Sequence, residues 1–231
     1  LAITPEIWSQ PKFLLTYLTF TQNLYFALGG DRINGISWSV VLEMQFYVLL
    51  VLTLPWWSRS HLLKVFVTFF LVAIISRSIV WELAEHYHWE TFKRFFYAVK
   101  LPCVLDEFAV GICLALWLKR GLSNISMWVL LTLALIVAAP LFYVYWKNAS
   151  YWDVQPMLIF WRTGLALLCG LVIAIAVLLP AVKEPSLFYR IGSYLGEISY
   201  GIYLWHLMVI LLLQQFYHLA AAELLIWSFA L

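Results

Sequence analysis

The chain has 231 residues, of which 65% are hydrophobic, 18% aromatic and only 11% charged. A soluble domain is about one quarter charged, so a mean hydropathy of +0.90 excludes an ordinary water-soluble fold and points to an integral membrane protein. A net charge of +2 with no basic run leaves no electrostatic footprint for a nucleic-acid partner.

Residues 12–28 come first and are too polar for a membrane span, because Thr16, Thr19, Thr21, Gln22 and Asn23 interrupt them. They read as a partly buried or interfacial helix. Breaks at Pro, Gly and charge clusters then define six apolar runs, 37–54, 62–80, 103–118, 125–145, 157–179 and 196–216, followed by a partial one from 221. Each is close to the roughly 17–25 residues that a helix needs to cross the hydrocarbon core. The run 103–118 is short, so its helix is expected to extend at one end. Open strands would leave backbone groups unpaired in lipid, and the runs lack the alternation of a β-barrel. The expected fold is therefore all-α, a polytopic transmembrane helix bundle with six complete spans and a partial one. With no internal repeat, residues 1–231 read as a single domain.

The chain starts with Leu1, shows no signal-peptide pattern and ends inside an apolar run, so it is expected to be an internal piece of a larger membrane domain, cut at both ends. Cys103, Cys113 and Cys169 sit in or beside apolar segments without a CxxC pair and read as small buried residues. The connections alternate between two sides. Short, dense basic loops carrying Arg59, Lys119, Arg120, Lys183 and Arg190 mark one side as cytoplasmic. The other side holds 81–102 as an extracytoplasmic loop. His86 and His88 lie there among Glu82, Glu85 and Glu90, which reads as a solvated polar loop; no metal site is expected.

Ionisable residues inside the spans carry the functional information. A charge at the centre of a bilayer costs about 3 kcal/mol on insertion scales, so it needs a partner, water or a proton. Glu43 lies about six residues into its span, roughly 9 Å deep at 1.5 Å per residue. Arg77, Asp106, Glu107 and Arg162 lie toward the same side of the membrane. Together they suggest a shared polar pocket that opens outward. For Arg77, Asp106 and Glu107 the alternative is a side chain snorkelling to the headgroups from a span end. Arg162 could neutralise a carboxylate through its fork of donors.

Two helical faces add detail. Ser39, Glu43 and Tyr47 align at intervals of four, while Trp38 and Gln45 share a second face. Ser199, Tyr203 and His206 align at spacings of four and three. An imidazole could serve as acid, base or donor. Interhelical hydrogen bonding that holds the bundle together is the competing explanation for Ser39, Gln45 and Tyr47.

These motifs carry a resemblance. Phe20-Thr21-Gln22-Asn23-Leu24, then Trp38-Ser39 through Glu43-x-Gln45-Phe46-Tyr47, resembles the acyltransferase-3 family of multi-span membrane acyltransferases. Leu101 to Gly111, with Pro102, Asp106 and Glu107, is similar to its middle motif. Ile198-Ser199-Tyr200-Gly201-Ile202-Tyr203-Leu204-Trp205-His206 is similar to its late signature. The resemblance implies transfer of an acyl group, such as acetyl, from a cytoplasmic acyl-CoA to a hydroxyl of an extracytoplasmic glycan or lipid-linked sugar. It implies a multi-pass protein of the bacterial cell membrane, with acyl-CoA as donor substrate and no bound cofactor.

It also implies that the family's catalytic histidine and arginine motif precede this chain, which alone is then expected to be inactive. Glu43, His206 and Arg162 take supporting catalytic roles in that reading. Trp38, Ser39, Gln45, Tyr47, Asp106, Glu107, Ser199 and Tyr203 would line the substrate path. Two other readings remain: a transporter or flippase using the charged pocket, and a non-catalytic membrane scaffold.

Overall fold

A computed structural model describes residues 15, 16, 18–24, 37–53, 62–119, 125–148, 150–179 and 187–217. The regular elements among them are helical: α1 (Ser37–Thr53), α2 (Leu62–His86), α3 (Thr91–Ala98), α4 (Leu101–Lys119), α5 (Met127–Lys147), α6 (Gln155–Leu178) and α7 (Leu187–Tyr217). The chain divides into two compact units, one formed by residues 1–45 and 181–231 and the other by residues 46–180.

Four helices are long and apolar enough to cross a membrane: Leu63–His86, Leu101–Lys119, Met127–Lys147 and Gln155–Leu178. They correspond to the second to fifth expected spans. The first, α1, is apolar but shorter. The sixth lies within α7, a helix of 31 residues that begins well before the apolar run and carries Arg190 and Glu197. The partial span from 221 lies outside the described residues. The count of six complete spans is thus met in part.

In the unit of residues 46–180, α4 and α6 form the centre, with α2 against α4 and α5 against α6. The reason is legible in each buried face. On α2 the buried positions Ala73, Arg77, Val80 and Ala84 follow helical spacing, and the two alanines let a neighbour approach closely. The centre of the unit is filled by Cys103, Val104, Leu105 and Ala109 of α4 and by Met157, Leu158, Ile159 and Trp161 of α6. Gly170 of α6 faces Val110 of α4 so closely that an added Cβ would lie 3.1 Å from its methyl carbon. In contrast, α5 turns Trp128, Leu135, Ile136, Phe142 and Trp146 outward, as a lipid-facing helix does.

The segment 81–102, expected as a loop, is largely helical. α2 continues to His86 because Glu82, Leu83, Ala84 and Glu85 are good helix formers even though the apolar run has ended. It stops in a Schellman turn: Trp89 N–H donates to Ala84 O at 2.9 Å and His88 N–H to Glu85 O at 3.3 Å. His88 takes the left-handed position, φ 50°, that glycine usually fills. The chain then reverses into the amphipathic α3, which buries Phe96 and Ala98.

A short 3₁₀ turn, Tyr151–Asp153, closes over α3. Asp153 accepts from the Thr91 hydroxyl at 3.0 Å and from the Ser150 hydroxyl at 2.6 Å. Trp152 is buried and meets Phe95 edge to face, with centroids 5.1 Å apart. Burying a large aromatic contributes a few kcal/mol, whereas exposed polar pairs give about 0–1, so Trp152 is the main fastening of this cap.

In the unit of residues 1–45 and 181–231, the expected interfacial helix over 12–28 is not continuous in its described part. A helical turn ends at Phe20, whose φ is 53°, and a separate 3₁₀ turn follows at Gln22–Leu24. The threonines explain the break. Thr19 Oγ1 donates to Leu15 O at 2.8 Å and pairs with Thr21 Oγ1 at 2.9 Å, which offers the backbone an alternative to the helix.

Candidate functional site

The ion cluster of residues 46–180 is built by two pairs of consecutive residues. Neighbours on a helix point about 100° apart, so Asp106 and Glu107 of α4 address different partners. Asp106 Oδ2 accepts from Arg77 Nη2 of α2 and from the Thr163 hydroxyl of α6. Arg77 Nη2 also donates to Thr163 Oγ1 at 2.9 Å. Glu107 instead receives a two-pronged contact from Arg162, Nε to Oε1 at 2.6 Å and Nη2 to Oε2 at 3.0 Å. Consecutive Arg162 and Thr163 on α6 thus answer consecutive Asp106 and Glu107 on α4.

Exposure separates the two pairs. Arg77 and Asp106 are 0% and 1% exposed, whereas Arg162 and Glu107 retain 17% and 29%. The first is sealed inside the helices. The second stays part-exposed.

The expected alternative for Arg77, snorkelling from a span end, does not hold. α2 runs nine residues beyond it, roughly 14 Å, and the side chain has no exposed surface. Asp106 likewise turns inward, while Glu107 stays half-buried. The sequence reading missed Thr163 altogether. The available signal was a hydroxyl beside Arg162, but a threonine within a span is commonplace.

Tyr47 also belongs to this unit and is exposed. Its neighbour Phe46 is buried against Phe108 of α4, with rings parallel and centroids 3.8 Å apart. Phe46 is thereby anchored beside the acids at 106 and 107.

In the other unit, Ser39 of α1 and Tyr203 of α7 share a hydrogen bond between their hydroxyls. Two motifs separated by 164 positions are therefore joined through polar side chains. Gln45 and Asn23 form a reciprocal amide pair, 2.9 Å in one direction and 3.3 Å in the other. Gln45 Nε2 also donates to Phe20 O at 2.8 Å. Gln45 thus ties α1 to the Gln22–Leu24 turn, in line with the bundle-holding explanation. Ser199 donates to Gly196 O of its own helix at 2.7 Å. His206 Nδ1 lies 2.5 Å from Tyr203 O, one turn back on its own helix, within reach to donate to it. Trp38 and Glu43 are half-buried on α1.

At the start of α4, Lys100 lies over the ring of Phe96, 3.2 Å from its centroid. Burial pushes the Lys100 ammonium down from 10.5 to about 7, with the charge effect of Cys103 opposing the shift. The unfolded chain therefore keeps a proton that the folded chain has released between about pH 7 and 10.5. Stability is expected to rise with pH across that window. Lys100→Met should flatten the rise, which thermal unfolding of the detergent-solubilised protein at several pH values measures. An unchanged slope would exclude Lys100 as its source.

A family model described as "Acyltransferase domain" matches residues 3–231. The chain belongs to the acyltransferase-3 family. Among curated proteins, this acyltransferase-3 chain is similar to Nodulation protein 10 of Rhizobium leguminosarum bv. viciae, with 26% identity over 204 residues. The alignment covers 88% of the chain and 50% of the relative, so the chain spans about half the length of the curated relative it matches. No solved structure matches it. Family membership and the four apolar helices together make it a multi-pass membrane chain.

Proposed function

We propose that this acyltransferase-3 chain forms part of a membrane enzyme that moves an acyl group from a cytoplasmic acyl-CoA to a hydroxyl of an extracytoplasmic glycan or lipid-linked sugar. The observation that carries the reading is the family match over residues 3–231. The partly open Glu107–Arg162 pair supports it, because a charged pair kept accessible within a span has a use beyond packing. The setting is the bacterial cell membrane.

In this reaction the acceptor oxygen attacks the thioester carbonyl. The carbon–sulfur bond breaks, the hydroxyl proton passes to a base, and the thiolate leaves. Negative charge builds on the carbonyl oxygen in the transition state, and a fixed guanidinium is suited to stabilise it. Arg162 takes that role, held in place by Glu107. Glu43 and His206 act in support by orienting polar groups. The base is the histidine that the family resemblance assigns to an earlier span. In the unit of residues 46–180, Tyr47 offers a flat ring for a sugar or an acyl chain and Asp106 braces the helices that carry Glu107 and Arg162. In the other unit, Trp38 offers a second ring, and Ser39, Gln45, Ser199 and Tyr203 contribute polar groups toward substrate.

Glu43→Gln and His206→Ala in the intact protein test the supporting roles, with acyl esters on surface glycan as the readout. Each variant should lower ester formation at normal expression. Full acylation in both would remove these residues from the mechanism. Ion-dependent uptake of a solute without any ester formed would favour a transporter instead.

A further inference from the structure

We propose that the sealed Arg77–Asp106–Thr163 cluster is an internal hydration site, where ordered water completes the coordination of a charge buried in the bundle. A guanidinium carries five N–H donors. The two on Arg77 Nη2 are used by Asp106 and Thr163. Arg77 Nε and Nη1 hold the other three and meet no acceptor among the described residues. Asp106 Oδ1 meets no donor there either, since both contacts to this carboxylate fall on Oδ2. Arg77 and Asp106 are fully buried.

Leaving these atoms dry is too costly. A buried donor or acceptor without a partner costs about 1–3 kcal/mol, and more where the group is charged. Three donors and an acceptor left dry would consume most of the roughly 5–15 kcal/mol by which a folded domain is stable. Rotating Asp106 into a two-pronged contact would give up its bond with Thr163. Neutralising Asp106 would leave the arginine donors unchanged. Water meets the need, because a buried water molecule makes about three hydrogen bonds and both donates and accepts. Nε and Nη1 lie on different edges of the guanidinium, so one molecule does not serve both. A water between Nη1 and Asp106 Oδ1 would close the ion pair into a ring.

Cys103 provides a built-in reporter. It lies one turn before Asp106 on the same face of α4 and is only 3% exposed. It is near enough to Arg77, Asp106 and Arg162 to feel their charges. Cys169 of α6 is the control, since it lies within an apolar span and away from the cluster, on an exposed position of the helix.

Radiolytic hydroxyl-radical labelling of the protein in lipid nanodiscs, read by mass spectrometry, should oxidise Cys103 severalfold faster than Cys169 despite its burial. In ¹⁸O-enriched water, Cys103 should take up the heavy label more slowly than residues in contact with bulk solvent. Equal or slower oxidation of Cys103 would overturn the proposal and assign the open donors to another protein group. Arg77→Met combined with Asp106→Leu should reduce Cys103 oxidation to the Cys169 rate. Persistence of fast oxidation in that folded variant would also overturn it, while the wild-type comparison stands even if the variant fails to fold.

Discussion

Replacing Arg77 alone with Met is expected to abolish most of the folded protein, and adding Asp106→Leu to the same chain is expected to restore it. Removing one partner of a buried ion pair costs about 3–5 kcal/mol, because it leaves an uncompensated charge. Asp106 would lose its counter-charge and retain the Thr163 hydroxyl as its side-chain donor among the described residues. Against a total stability of about 5–15 kcal/mol, that loss is large. Two apolar side chains of similar volume remove the stranded charge, and such replacements of buried pairs are often neutral or stabilising. Fluorescence-detected size exclusion and thermal midpoints of the two single variants and the double variant would measure this. A double variant no more stable than the worse single one would show that the cluster is required as a polar unit.

The second large effect concerns Arg162. Arg162→Lys keeps the positive charge and the stem but loses the planar fork that meets both Glu107 oxygens. If Arg162 stabilises the oxyanion, acyl transfer should fall by about 10²–10³-fold, the usual effect of losing one such donor. Stability should change far less than in the Arg77 variant, because this pair is part-exposed and solvent or headgroups can reach the freed carboxylate. Initial rates of ester formation in membranes, normalised to folded protein, would separate the two effects. A near wild-type rate would confine Arg162 to holding α6 against α4.

The contrast between Arg77 and Arg162 shows what could be read in advance. Both are arginines inside apolar runs, and Asp106 and Glu107 are adjacent acids, so four charges in three helices were visible along the chain. Their assortment was not. Which acid meets which arginine depends on the rotation of α4 about its axis, and that rotation is set by packing against α2 and α6. A shift of one residue turns a side chain by about 100° and would put Glu107 where Asp106 stands. Thr163 gained its place between Arg77 and Asp106 for the same reason.

The amide pair of Gln45 and Asn23 tells a similar story in the other unit. Both residues stood out as polar groups in apolar surroundings. Their contact depended on the chain breaking at Phe20 and turning again at Gln22, a feature that helical periodicity does not encode. The joining of Ser39 to Tyr203 is equally long-range, although both motifs were recognisable individually.

By itself, the sequence determined the class of molecule. Runs of apolar residues as long as a bilayer is thick leave no solution but helices, because lipid satisfies no backbone hydrogen bond. It also determined the family, since the motifs at 38–47, 101–111 and 198–206 stand in one order along the chain. Only the tertiary structure decided that Arg77 is sealed while Arg162 is open, that the segment after residue 80 is helical, and that a 3₁₀ turn caps it. The physical reason is that hydropathy is a property of each segment, whereas burial of a charge belongs to the neighbours that surround it. Those neighbours come from α2, α4 and α6 and meet only when the helices pack.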